Sequence, residues 1–465
     1  MCSRKEAIRI SRVSCLMPGC VLWSAILSFC GSGCVAAQPA PSEPPSYTFT
    51  NGRWFDGQGF REGTWHAVQG RLTRSKPEGQ VEVVDLQGGY VIPPFAEAHN
   101  HNVEGPWNLE AAVRRYLADG VFYVKIPGNI AEFTRQIRPR VNRPDSIDVL
   151  FSNGGLTAAG GHPVPLYEEV LATARYAPVV GRVPSGWFNG RAYFAIDQPA
   201  DLERVWPAVL ADRPDFIKVY LAHSEEFSVR RAYSTPGYHS GLSPALLPPI
   251  VAKAHGDGLT VAVHVETADD FRAAVQARAD EITHVPGWWI AEPDDMAAAR
   301  LTERDAEMAA AAGVTVVTTT VAASLMPGQG SSPAQEGHHG HSTDGHGPHA
   351  SSVDPALVRD LQRENLLLLH RHHVRLAVGS DHAETSLAEV LNLQSLGVFD
   401  NRALLKLWCQ DTPLAIFPQR KIGRLEEGYE ASFLVLAGDP TADFAQVRAI
   451  RARFKQGRPL AVPNP

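Results

Sequence analysis

From Val91 onward, short apolar runs alternate with amphipathic stretches of helical period, and few architectures accept that text. Short apolar runs joined by helices read as strands of a parallel sheet that the helices cover. The runs fall at Val91–Ala96, Val121–Ile126, Ile147–Ser152, Phe216–Leu221, Thr260–Val265, Glu281–His284, Val314–Thr319 and Arg375–Ser380. Eight such strands predict an α/β fold, a closed (β/α)8 TIM barrel. The helical stretches agree: 108–118 places Leu109, Ala112, Val113 and Tyr116 on one stripe, and 201–211 and 270–279 behave similarly.

The flanks read differently. Tyr47 to Leu86 is short strands broken by turns at Asn51-Gly52, Asp56-Gly57 and Gln69-Gly70, and strand-and-turn text returns at 431–437 and 447–454. These segments predict a small β-sandwich built from residues 47–90 and 418–465, with the barrel occupying 91–417. Two long insertions interrupt the barrel, at 223–243 and 321–352; the second contains a His-rich loop, 337–349, with five of the chain's 18 histidines. That loop is expected either to capture zinc or to be an insertion with incidental metal affinity.

Residues 1–37 carry a basic start (Arg4, Lys5, Arg9, Arg12), an apolar run and a small-residue end, Val35-Ala36-Ala37. This reads as a signal peptide followed by a Pro/Ser-rich linker, 38–46, and predicts a periplasmic or secreted protein. A membrane span is the weaker reading because Pro18, Gly19, Gly31 and Gly33 interrupt the run. A lipid anchor on Cys34 is weaker still, because Gly31-Ser32-Gly33 lacks the bulky aliphatic residue such signals carry. Five of the six cysteines lie in this leader, so only Cys409 would remain and no internal disulfide is expected. The whole chain carries −7; a leader of four bases and one acid takes positive charge away, making the remainder more acidic and nucleic acid an improbable partner. Composition says nothing of oligomeric state.

The chemistry gathers where the strands end. His99 and His101 close the first run, and residues i and i+2 of a strand point to one face, so both imidazoles can reach one ion. Lys218 lies in the fourth run, His264 and His284 end the fifth and sixth, and Asp381 ends the eighth. Each has an ordinary explanation alone: buried histidines, a buried ion-pair lysine, a helix-capping aspartate. Together, on the barrel edge that carries catalytic residues, four imidazoles and a carboxylate suit Zn²⁺ or another borderline divalent ion. Lys125 is a rival strand lysine.

This set resembles the amidohydrolase superfamily from about Tyr47 to the C-terminus, and Gly154 to Pro163 is similar to the Gly-Gly-His loop of its imidazolonepropionase-like and prolidase-like branch. The tail Gly423-Arg-Leu-Glu-Glu-Gly428 and 431–436 look like that family's returning sandwich strands. The resemblance implies two Zn²⁺ ions. His99, His101 and Asp381 would hold one, His264 and His284 the other, and an N6-carboxylated Lys218 would bridge them. It also implies that Asp381 transfers protons as general base and acid and that His162 polarises the substrate carbonyl. Glu97 stands where the family usually has aspartate and would orient His99 or His101.

The expected function is therefore metal-dependent hydrolysis of a C–N bond, amide, peptide or lactam, in a small molecule such as a dipeptide or N-acyl amino acid. Arg230 and Arg231, near Tyr233 and Tyr238 in the fourth-strand insertion, would either clamp a substrate carboxylate or face water. Alternatives are a lactonase or esterase, a one-metal deaminase, and a periplasmic zinc-binding protein with a degenerate enzyme fold.

Overall fold

The computed structural model describes residues 10–11, 45–232, 240–288, 290, 293, 295–322, 353–381 and 384–461. Most of the expected leader and linker, Tyr233, Tyr238 and the His-rich loop lie outside the described residues.

The N-terminal segment forms β1 (Ser46–Phe55), β2 (Phe60–Val68), β3 (Arg71–Thr73) and β4 (Val81–Ile92). The barrel follows, with β5 (Phe95–Glu97), β6 (Val121–Ile126), β7 (Asp148–Phe151), β8 (Gly155–Thr157), β9 (Tyr193–Ala195), β10 (Ile217–Tyr220), β11 (Val261–His264), β12 (Glu281–Thr283), β13 (Thr315–Val317) and β14 (Arg375–Ala377). The C-terminal segment returns as β15 (Phe433–Leu436), β16 (Ile450–Lys455) and β17 (Arg458–Pro459).

Both ends of the chain build one sheet, in the order β17-β16-β15-β4-β1-β2-β3, to which Ile10–Ser11 adds against β4. Three strand spacings separate β16 from β1, about 14 Å in a flat sheet. Yet the Phe454 and Phe49 rings lie 5.1 Å apart, so the sheet rolls over its own core of Phe49, Trp54, Trp65, Phe433 and Phe454. Both termini meet in this one rolled sheet, in the place where the small sandwich was expected.

The barrel strands run parallel in two ladders, β5-β6-β7 and β9-β8-β10-β11-β12-β13-β14, the architecture of a TIM-like barrel. Ala98 N donates to Val378 O at 2.8 Å, which brings the first strand beside the last. Trp408 seats β5 from outside, stacked at 3.5 Å on Phe95 with its indole N–H on Ala96 O.

Three boundaries differ from expectation. The first apolar run splits at Pro93-Pro94, which have no N–H for a ladder; Val91 and Ile92 pair with β15 in the terminal sheet, and only 95–97 belong to the barrel. The Gly-rich stretch after β7 contributes β8, and 193–195 contributes β9, neither of which periodicity reveals in three residues. Residues 444–448 turn as a 3-10 helix before β16 begins.

Buried charges pair off toward the N-terminal ends of the strands. Lys455 Nζ, fully buried, donates to Arg143 O (2.8 Å), Ser146 O (2.5 Å) and Asp148 Oδ1 (2.7 Å), and Arg420 joins Asp148 to Glu430. Among the described residues no helix is long and apolar enough to cross a membrane.

Candidate metal centre

Strand register gathers the ligands. Tyr220, His264 and Thr283 are level neighbours on β10, β11 and β12. His284 follows β12, and Asp381 follows β14, where its N–H bonds His99 O at 2.9 Å. The backbone turns sharply at these ends: Asn153, His223, His284, Thr319 and Asp381 all have positive φ, between 50° and 80°. Left-handed backbone is costly for residues with a Cβ, most of all for a β-branched threonine, and such strain persists where surrounding contacts impose it.

Asp381 Oδ1 lies 3.2 Å from both His99 Nε2 and His101 Nε2. His284 Nδ1 lies 3.9 Å from Asp381 Oδ2 and 2.7 Å from Thr319 Oγ1. His284 Nε2 faces His264 Nδ1 at 2.9 Å, and the other nitrogen of His264 lies 3.4 Å from Glu266 Oε1. His162 stacks on the His264 ring at 4.4 Å, and Trp288 stacks on His284 at 4.2 Å. Lys218, 1% exposed, donates to Thr283 Oγ1 at 3.0 Å, its only hydrogen-bond partner among the described residues. Gly128 leaves space at the floor: a Cβ there would come within 3.0 Å of the Tyr220 hydroxyl, 3.1 Å of the Tyr167 hydroxyl and 3.7 Å of His101.

Burial lowers His99 to about 3, lowers His284 well below the usual imidazole value, lowers His264, and brings the Lys218 ammonium down to about 7. His101 goes the other way, to about 9, because Asp381 and Glu104 outweigh burial. Burial would raise Asp381, but His99, His101 and His284 hold it well below the carboxylate range.

These residues fit a divalent cation. Atoms at ordinary zinc–ligand lengths in a tetrahedron lie about 3.3 Å apart, close to the two Asp381–imidazole separations. Ionised carboxylate with the neutral imidazoles of His99, His264 and His284 is the right donor chemistry, and His101, which Asp381 and Glu104 hold protonated, would give up its proton to a bound cation. A carboxylate accepts but does not donate, so Glu266 places the His264 proton on the outer nitrogen and turns the inner lone pair toward His284.

All seven residues expected at the site, His99, His101, His162, Lys218, His264, His284 and Asp381, meet at this end. The rival Lys125 does not join them: its ammonium pairs with Glu281 at 2.8 Å and lies over Phe216. Arg230 pairs with Glu226 (2.8 Å), and Arg231 with Asp197 (2.7 Å), so carboxylates of this chain already engage both. Glu97 grips Ser380 rather than either imidazole, accepting its N–H and hydroxyl at 2.8 Å each and thereby anchoring the residue before Asp381.

Sequence reasoning missed the outer partners. Glu104 lies 3.6 Å from His101 Nδ1 and is held by Arg175 at 2.7 Å; Glu266 holds His264; Thr319 meets His284; His223 meets Glu266 at 3.0 Å. A glutamate two or three residues beyond a ligand histidine was the available signal for the first two.

No protein-family model and no curated protein matches the sequence. Solved structures do. A crystal structure of an amidohydrolase superposes with a TM-score of 0.63 at 19% identity, covering 90% of this chain and 99% of that one. The chain has the amidohydrolase fold. The same fold relates it to A. niger ochratoxinase (TM-score 0.63, 18% identity, 90% and 96% covered). A prolidase complexed with N-methylphosphonate-L-proline is similar too (0.63, 17%, 90% and 99%).

Proposed function

We propose that this chain is a metal-dependent amidohydrolase that hydrolyses a C–N bond, amide, peptide or lactam, in a small molecule. The observation that carries the reading is the inward-facing pair His264 and His284 beside Asp381 at the mouth of an amidohydrolase fold. The ochratoxinase and the prolidase with its proline-based phosphonate support a carbonyl–nitrogen substrate. His99, His101 and Asp381 would hold one zinc ion and His264 and His284 a second. Lys218, buried and in no ion pair among the described residues, would bridge them as its N6-carboxylate.

When bound, such ions supply Lewis acidity to the attacking water and the scissile carbonyl. Asp381 accepts the water's proton on its carboxylate and returns it to the leaving nitrogen. His162, packed on His264, points the reading toward a hydrogen bond to the substrate carbonyl oxygen as it gains charge. Trp288 covers the face of His284 and keeps its ring from turning. The composition of residues 1–37 supports export.

The test is the metal content of purified protein with and without Lys218→Ala, alongside assays on dipeptides, N-acyl amino acids, lactams and lactones. The expected result is about two zinc ions per chain, fewer after the substitution, with turnover of an amide. A single ion indifferent to Lys218, or turnover of lactones alone, would replace this reading.

A further inference from the structure

One carboxylate stitches together the loops after β10 and β11. Asp270, fully buried, accepts the backbone N–H groups of His223 (3.1 Å), Ser224 (2.9 Å), Glu266 (3.0 Å) and Thr267 (3.1 Å), and the Ser224 hydroxyl as well. Held this way, the two loops bring Glu266 and His223 face to face. Glu266 Oε2 lies 3.0 Å from His223 Nε2, and its Oε1 lies 3.4 Å from His264 Nε2. Glu225 meets the far nitrogen of His223 at 3.5 Å and takes a hydrogen bond from Thr267 at 2.8 Å.

We propose that Glu266, steadied by His223, is the positioning residue of His264 and sets how tightly the second cation is held. The inference rests on the two-cation reading above. A histidine ligand needs its outer N–H anchored, or the ring turns and offers the wrong nitrogen; losing such an anchor costs about 10–100-fold in metal affinity. The effect is confined to one half of the centre, because His264 is the ligand that Glu266 meets, whereas His99 and His101 meet Asp381 and His101 also meets Glu104. His162, His264 and Glu266 could between them surround an ion of their own, since their ligand atoms lie within 4.8 Å of one another. A neutral imidazole has a single lone pair, however, and that of His264 faces His284. Glu266 therefore acts through His264 rather than as a ligand.

The test is equilibrium dialysis of the metal-free full chain against Zn²⁺, comparing wild type, Glu266→Gln and Glu266→Asp, with visible spectra of the Co²⁺-loaded proteins. Expected are two ions in all three. In the Gln variant one affinity is about 10–100-fold weaker and the cobalt spectrum is altered, the other affinity is unchanged, and the Asp variant lies between. Unchanged affinities overturn the inference, as does equal weakening of both, which marks a merely structural role. Three ions falling to two would make Glu266 a ligand and also overturn it. Wild type that binds no ion overturns the two-cation reading first, and this inference with it.

Discussion

The two ends of the barrel balance their buried polar groups differently. Toward the N-terminal ends of the strands buried Lys455 pairs with Asp148 and half-buried Arg420 with Asp148 and Glu430, and inside the barrel buried Lys125 pairs with Glu281. Toward the C-terminal ends, the buried Lys218 ammonium has the Thr283 hydroxyl as its hydrogen-bond partner and no ion pair among the described residues, and the His264 and His284 nitrogens that would take a cation face each other at 2.9 Å. Buried charge that closes its own account is architecture; buried charge left open is where a ligand belongs. The difference separates Lys125 from Lys218 more sharply than burial does, for both lysines are buried.

The largest effect expected at the open end is that of Asp381→Asn, which keeps the shape and removes the proton acceptor. Turnover of an amide substrate should fall by about 10²–10⁴-fold while the thermal unfolding midpoint holds; near-normal turnover would take the proton-transfer role from Asp381. At the closed end the cost should appear in stability instead. Lys455→Met leaves Asp148 to Arg420 alone and takes the donor from the Arg143 and Ser146 carbonyls, and it should lower the unfolding free energy by about 1–3 kcal/mol in urea titrations, with zinc content per folded molecule unchanged. Loss of zinc in that variant would erase the distinction between the ends.

A third prediction concerns pH. Although burial pulls it down and Arg230 opposes it, His223 is raised to about 10 by Glu225 and Glu266. A folded value above the unfolded one means the proton binds the folded state more tightly. Its stabilisation is therefore complete below about pH 6.5 and fades as pH rises toward about 10. Urea midpoints measured across that window should decline in wild type and decline less in His223→Gln; parallel curves would refute the assignment. The smallest effect belongs to the exposed pair Arg143 and Asp145, 2.9 Å apart. Arg143→Ala should change stability by less than about 1 kcal/mol, and a larger loss would show that the seam beneath Lys455 depends on it.

Much of this was legible in the sequence because parallel strands bring their C-terminal ends together, so residues far apart in the chain, such as His99 and Asp381, become neighbours once the strands are counted. What could not be read depends on contacts between loops. Nothing local to Glu266 announces that Asp270 aligns it with His223, a residue more than forty positions earlier. Glu97 was expected at the imidazoles and grips Ser380 because the last strand lies against the first. The break at Pro93-Pro94 was visible as chemistry, but its consequence, handing Val91 and Ile92 to another sheet, needed β15 as a partner.

The Asp270 clasp bears on how this protein can be redesigned. Because one side chain fastens the loops behind two consecutive strands, those loops are a single cassette, inherited or exchanged together. A graft that replaces only the 223–243 insertion to change what enters the mouth would take away the Ser224 hydroxyl on Asp270 and the His223 ring on Glu266, and let Glu266 drift. Moving residues 222 to 270 as one piece carries the clasp along.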